Sequence, residues 1–132
     1  MVKKIEHIGI AVKRLAEAIP VYEKLLQTKC YKTEEVTSEN VCTAFFQIGD
    51  TKIELLESTT EDGVIAKFIE KKGEGLHHIA FEVDNINEQI HHASPDFHVL
   101  QEKPKAGADN KQICFLHPKD THGVLVEFCQ EQ

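Results

Sequence analysis

The sequence contains no apolar run near the roughly 18 residues that would cross a bilayer, and its longest runs are of strand length, so no membrane helix is expected. It is also short of positive charge. Lys and Arg together number 15 against 22 Asp and Glu, a formal net charge of −7. That is the wrong sign for a surface that displaces phosphate counterions, and nucleic acid is not an expected partner. Cysteine is sparse. Cys30, Cys42, Cys114 and Cys129 are dispersed without a C-x-x-C pair, which argues against a zinc ribbon or redox motif and fits reduced thiols in a reducing compartment. Met1-Val2-Lys3-Lys4 leads straight into a strand pattern without a leader-type apolar core or cleavage site, so a cytoplasmic protein is expected. Disorder is not called for either, since 41% hydrophobic and 28% charged residues are ordinary globular values. A chain of 132 residues fits one domain, burying roughly two-thirds of its unfolded surface.

What is present is one pattern written twice. Ile5-Glu6-His7-Ile8-Gly9-Ile10-Ala11-Val12 is matched by Gly75-Leu76-His77-His78-Ile79-Ala80-Phe81-Glu82-Val83, each with a His at the head of an alternating apolar run. Across a near-equal length of chain, each is followed by a strand-like run with a carboxylate inside it. These are Lys52-Ile53-Glu54-Leu55-Leu56 and Val124-Leu125-Val126-Glu127-Phe128. A single His at a strand start is usually a polar edge residue, and a single strand Glu usually faces solvent. Equivalence in two copies changes that balance, because two imidazoles and two carboxylates brought together by packed copies would form a four-donor metal site. The apolar neighbours Ile53, Leu55, Val126 and Phe128 give both carboxylate strands a core face. A carboxylate on the opposite face, inside a closing sheet, is costly without a cation.

The periodicities place the elements. Residues 4–12 alternate as a strand, with Ile8, Ile10 and Val12 on one face and His7 on the other. Leu15, Ile19, Tyr22 and Leu26 follow a helical spacing, with Pro20 predicting a late start or a kink. Strands are predicted over 31–36 and 41–48, joined by the polar 37–40 connection, and the Gly49-Asp50 turn leads into a strand over 51–57. A linker helix over 59–74 is predicted from the Ser58-Thr59-Thr60 cap cluster, the stripe of Val64, Ile65, Phe68 and Ile69, and the Lys71-Lys72-Gly73 stop. The second copy then runs as a strand at 75–83 and a short helix capped by Asn85 with Glu88 three positions on. Strands at 97–101, 112–117 and 124–130 follow, with a polar loop at 103–110. The expected fold is α+β: two paired βαβββ modules, residues 4–58 and 75–132, forming a cupped, open-barrel-like mixed sheet with helices outside.

These segments carry a resemblance. His7-Ile8-Gly9-Ile10-Ala11-Val12, Ile48 to Glu57, Gly75 to Val83, and Phe115-Leu116-His117-Pro118-Lys119-Asp120 running into Gly123 to Glu127 resemble the vicinal oxygen chelate superfamily, and within it the methylmalonyl-CoA epimerases. Carried over position by position, the resemblance implies one divalent ion (Co, Zn, Ni or Mn) held by His7, Glu54, His78 and Glu127. His78-Ile79-Ala80 lines up with His7-Ile8-Gly9, so His77 turns to the opposite face for packing or hydrogen bonding. The implied reaction is epimerisation at C2 of methylmalonyl-CoA through a metal-stabilised enolate, with Glu127 as base and Glu54 as its partner. Some family members carry a further carboxylate at about Thr43, which this chain lacks.

An acyl-CoA substrate calls for cations, and the second module's loops offer Lys103, Lys105, Lys111 and Lys119. The resemblance also implies a homodimer. His91, His92, His98, His117 and His122 read as surface or turn residues. Two other functions remain open at the level of sequence. Glyoxalase I would use the same four donors on a hemithioacetal of methylglyoxal and glutathione, and a non-catalytic drug- or metabolite-binding resistance protein would use the cup without chemistry.

Overall fold

The computed structural model describes all 132 residues. The strands are β1 (Val2–Ala11), β2 (Lys32–Val36), β3 (Val41–Ile48), β4 (Thr51–Ser58), β5 (Gly75–Val83), β6 (Lys105–Ala106), β7 (Lys111–Leu116) and β8 (Val126–Glu131). The helices are α1 (Leu15–Leu26), α2 (Val64–Lys72) and α3 (Ile86–Ala93). Chain order is therefore β-α-β-β-β, a linking helix, and β-α-β-β-β again, as the repeat predicts. The strands hydrogen-bond in the order β2-β3-β4-β1-β5-β8-β7-β6, a mixed sheet with β5 and β8 parallel and the β3/β4 and β7/β8 pairs antiparallel. Both copies have the same internal order, so the duplication is topological as well as sequential. No helix is long and apolar enough to cross a membrane.

Contacts divide the chain into two compact units whose boundary cuts through β1 and β5. One unit holds Met1–His7 with His78–Gln132, and the other holds Ile8–His77.

In the Ile8–His77 unit, register sorts the β3/β4 hairpin into two faces. Ala44 opposes Leu55 and Phe46 opposes Ile53; these side chains cluster with Val12, Leu15, Ala18, Ile19, Tyr22 and Leu26. That apolar burial carries α1 through Pro20, and the helix begins at Leu15 instead of near the proline. Pro20 is exposed, where its ring meets solvent and not the sheet. On the second face Leu56 packs with Ala11, Val41, Ile65, Phe68 and Ile69, which holds α2 in place. The predicted Ser/Thr cap for α2 is not used. Gly63 occupies the cap position with no side-chain bond, because the Ser58 hydroxyl is spent locally on the Thr60 carbonyl at 2.6 Å. The predicted stop holds: Gly73, at φ 79°, donates its N–H to the Ile69 carbonyl at 2.7 Å.

His77 packs its ring on Phe68 in a T-shaped contact at 4.9 Å, on the face opposite to a ligand role. Burial first, and the Lys72 ammonium second, lower its pKa to about 4. The unfolded chain, with an ordinary pKa near 6.5, thus takes up a proton that the folded chain refuses. This stability is present above about pH 6.5 and is lost as pH falls toward about 4, by at most about 3 kcal/mol. The expected result is that His77→Phe shows a smaller drop in unfolding free energy between pH 7 and pH 4.5 than the parent in urea titrations. Equal drops would assign the acid sensitivity elsewhere.

In the other unit, α3 is capped as predicted, with Asn85 Oδ1 accepting from the Glu88 N–H at 3.0 Å. Ile86, Ile90 and Ala93 pack onto Val83, Cys114, Leu116 and Phe128. The predicted strand at 97–101 is reduced to a single bridge between Val99 and Leu116. Pairing stops there because the Gln101 side chain takes the Phe115 N–H, at 2.8 Å, where a ladder carbonyl would otherwise serve. The loop expected over 103–110 contains β6, paired to Gln112 and Ile113.

Candidate metal and active site

Three of the four expected donors meet within the first-described unit. His7 Nε2 lies 3.0 Å from His78 Nε2, and Glu127 Oε1 lies 3.7 Å from the former and 3.3 Å from the latter. All three are nearly sealed from solvent, at 5%, 7% and 3% exposure. The elements explain why. Glu127 is fixed in β8 with Ala80 of β5 as partner on one side and Phe115 of β7 on the other. The rings of His7 and His78 meet edge to face at 5.1 Å, and Phe115 meets His78 in the same way at 5.7 Å.

The donor set fits a divalent ion. Ligand bonds of about 2.1 Å at about a right angle place neighbouring donors about 3.0 Å apart, and tetrahedral angles place them somewhat farther. Imidazole and carboxylate together suit first-row divalent metals. The desolvation of a buried carboxylate is, moreover, a cost that a facing cation offsets.

Glu54 belongs to the other unit. It is 3% exposed and stands opposite Phe45 across the β3/β4 hairpin. Thr43 lies on the same face of that hairpin, 1% exposed, and its Oγ1 has no hydrogen-bond partner. It cannot substitute for a carboxylate as a base.

The lysines differ among themselves. Lys103 and Lys119 are exposed, and Lys105 sits with its ammonium 5.9 Å from the Phe115 ring centre. Lys111 is only 5% exposed and faces the Glu131 carboxylate at 3.6 Å, so its charge is already engaged. His91, His92, His98 and His122 are exposed, and His117 accepts the Lys119 N–H in a turn.

One site residue escaped the sequence reading. Glu6, 2% exposed, places Oε1 2.6 Å from His7 Nδ1. Strict strand alternation sends Glu6 away from His7, yet the two consecutive side chains are both buried. No pattern in the sequence signals this.

A mixed sheet of two βαβββ modules with buried imidazole and carboxylate donors gathered on β1, β5 and β8 defines the class. The chain belongs to the Glyoxalase/Bleomycin resistance protein/Dioxygenase superfamily, whose model matches residues 6–115. It is 39% identical over 129 residues to the mitochondrial methylmalonyl-CoA epimerase of Homo sapiens, covering 96% of this chain and 73% of that protein. It is 43% identical over 129 residues to the uncharacterized protein YqjC of Bacillus subtilis (strain 168), covering 96% and 91%. Among solved structures, a Streptomyces coelicolor methylmalonyl-CoA epimerase in complex with 2-nitronate-propionyl-CoA matches with a TM-score of 0.95 at 33% identity, covering 99% of this chain and 96% of that one.

Proposed function

We propose that this protein is a divalent-metal-dependent epimerase acting at C2 of methylmalonyl-CoA. The observation that carries the reading is the buried cluster of His7, His78 and Glu127 in a chain whose named relatives include methylmalonyl-CoA epimerases. His7, His78 and Glu127 would hold the ion, with Glu54 as the fourth donor, and Co, Zn, Ni or Mn would each suit that set. When bound, such an ion supplies Lewis-acid polarisation of the substrate's thioester carbonyl. Glu127 takes the α-proton from one face of C2, and Glu54 returns a proton to the other. One C–H bond breaks and one forms, so substrate and product differ only in configuration. Lys103, Lys105 and Lys119 are the cations offered to the coenzyme A phosphates, Lys111 being held by Glu131. A cytoplasmic homodimer completes the reading.

The test is isotope exchange. Incubated with methylmalonyl-CoA in deuterium oxide and a divalent metal, the protein is expected to place deuterium at C2 and to interconvert the two epimers. No exchange, with turnover of the methylglyoxal–glutathione hemithioacetal instead, would establish the glyoxalase I reaction. Neither activity, together with no stoichiometric divalent ion, would leave a binding protein.

A further inference from the structure

We propose that Glu6 is a positioning residue for this site, holding the His7 ring in the tautomer and plane that turn the Nε2 lone pair toward His78 and Glu127. The proposal rests on the reading of His7, His78 and Glu127 as metal donors. Neutral imidazole carries its proton on one nitrogen only, and that nitrogen cannot also be a ligand. An N–H on Nδ1 meets a carboxylate at 2.6 Å, the short contact of a charge-assisted bond. Nε2 is then left as the acceptor on the side where the other two donors lie, at 3.0 and 3.7 Å. A carboxylate as buried as Glu6 is expensive to keep unless such a donor meets it, so the pair orders both partners. Carboxylate support of a ligating imidazole raises its basicity and fixes its orientation.

A second ion held by Glu6, His7 and Cys129, whose donor atoms also approach one another, is the competing use of the same carboxylate. It requires a thiolate. Burial, with the Glu127 and Glu6 charges adding to it, pushes the Cys129 thiol up, and its sulfur faces the Phe81 carbonyl at 3.6 Å as a donor would. His7 Nδ1 is moreover already taken by Glu6.

The experiment uses the full chain with Glu6→Leu, which keeps the volume and loses the acceptor, and Glu6→Gln, which keeps an oxygen and loses the charge. Nitrogen-15 NMR of the metal-free protein, with His7 assigned against His7→Gln, is expected to show the Nδ1–H tautomer in the parent and in Glu6→Gln, and its loss in Glu6→Leu. Co²⁺ titration is expected to show affinity falling about 10- to 100-fold in Glu6→Leu, with Glu6→Gln intermediate. An Nε2–H tautomer in the parent, or an unchanged Co²⁺ affinity in folded Glu6→Leu, would overturn the proposal. A parent that binds no Co²⁺ at all overturns the metal reading instead, and the tautomer measurement still decides the role of Glu6.

Discussion

Glu127→Gln is expected to slow deuterium exchange at C2 of methylmalonyl-CoA by about a hundredfold to ten-thousandfold, the span of a general base in carbon-acid chemistry. The substitution keeps shape and volume, which matters for a side chain only 3% exposed. Its strand neighbours Ala80 and Phe115 hold the backbone in register on both sides, so the loss is one of charge and basicity and not of position. Because Glu127 is also a proposed donor, the rate is to be read at full metal occupancy, with the metal content of each sample measured. A base role lowers kcat at unchanged occupancy. A pure donor role lowers occupancy, and saturating metal restores the rate. Glu54→Gln in parallel separates the two carboxylates: if each delivers a proton to one face of C2, each variant still exchanges one epimer faster than the other. Undiminished exchange in metal-loaded Glu127→Gln would remove it from proton transfer.

The duplication was legible because each copy repeats chemistry as well as hydrophobicity; register against His7 set His78 apart from His77, and alternation turned His77 to the opposite face, where its ring packs on Phe68. Helix α3 was legible down to its cap, because an Asn-to-Glu spacing has a local mechanism that packing seldom overrides. Local signals failed where tertiary contacts decided. The α1 stripe carries the helix across Pro20, the Ser58 hydroxyl turns to Thr60 instead of capping α2, and Gln101 ends a strand by occupying a ladder position. Lys111 looked like a loop cation and is instead a buried partner of Glu131; a single charged residue at a strand start gives no sign of which way it turns. Glu6 is the instructive omission, since a period-two reading assigns consecutive residues to opposite faces and has no means of burying both.

Stripping the divalent ion from the protein is expected to abolish C2 exchange, to restore it on adding back Co²⁺ or Zn²⁺, and to lower the melting temperature in between. The stability arm follows from the donors themselves. Two imidazole nitrogens and a carboxylate oxygen lie within 3.7 Å of one another, all nearly sealed from water, and a carboxylate buried that deeply is among the costlier groups in a fold to keep without a cation. A 2+ charge facing two imidazoles and the proposed pair of carboxylates offsets the negative charge of that pair, which lowers that cost. An ion binding only the folded chain adds about 2.7 kcal/mol at a hundred times its Kd and about 4.1 kcal/mol at a thousand times, enough to move the midpoint of a domain this size by several degrees. His78→Ala should mimic the stripped state in both respects and be indifferent to added metal. It removes the donor that stands nearest both His7 Nε2 and Glu127 Oε1, at 3.0 and 3.3 Å. Full exchange in the stripped protein, or a melting temperature that added metal leaves unmoved, would transfer the work of stabilising the developing oxyanion to other groups and make the buried trio a packing arrangement.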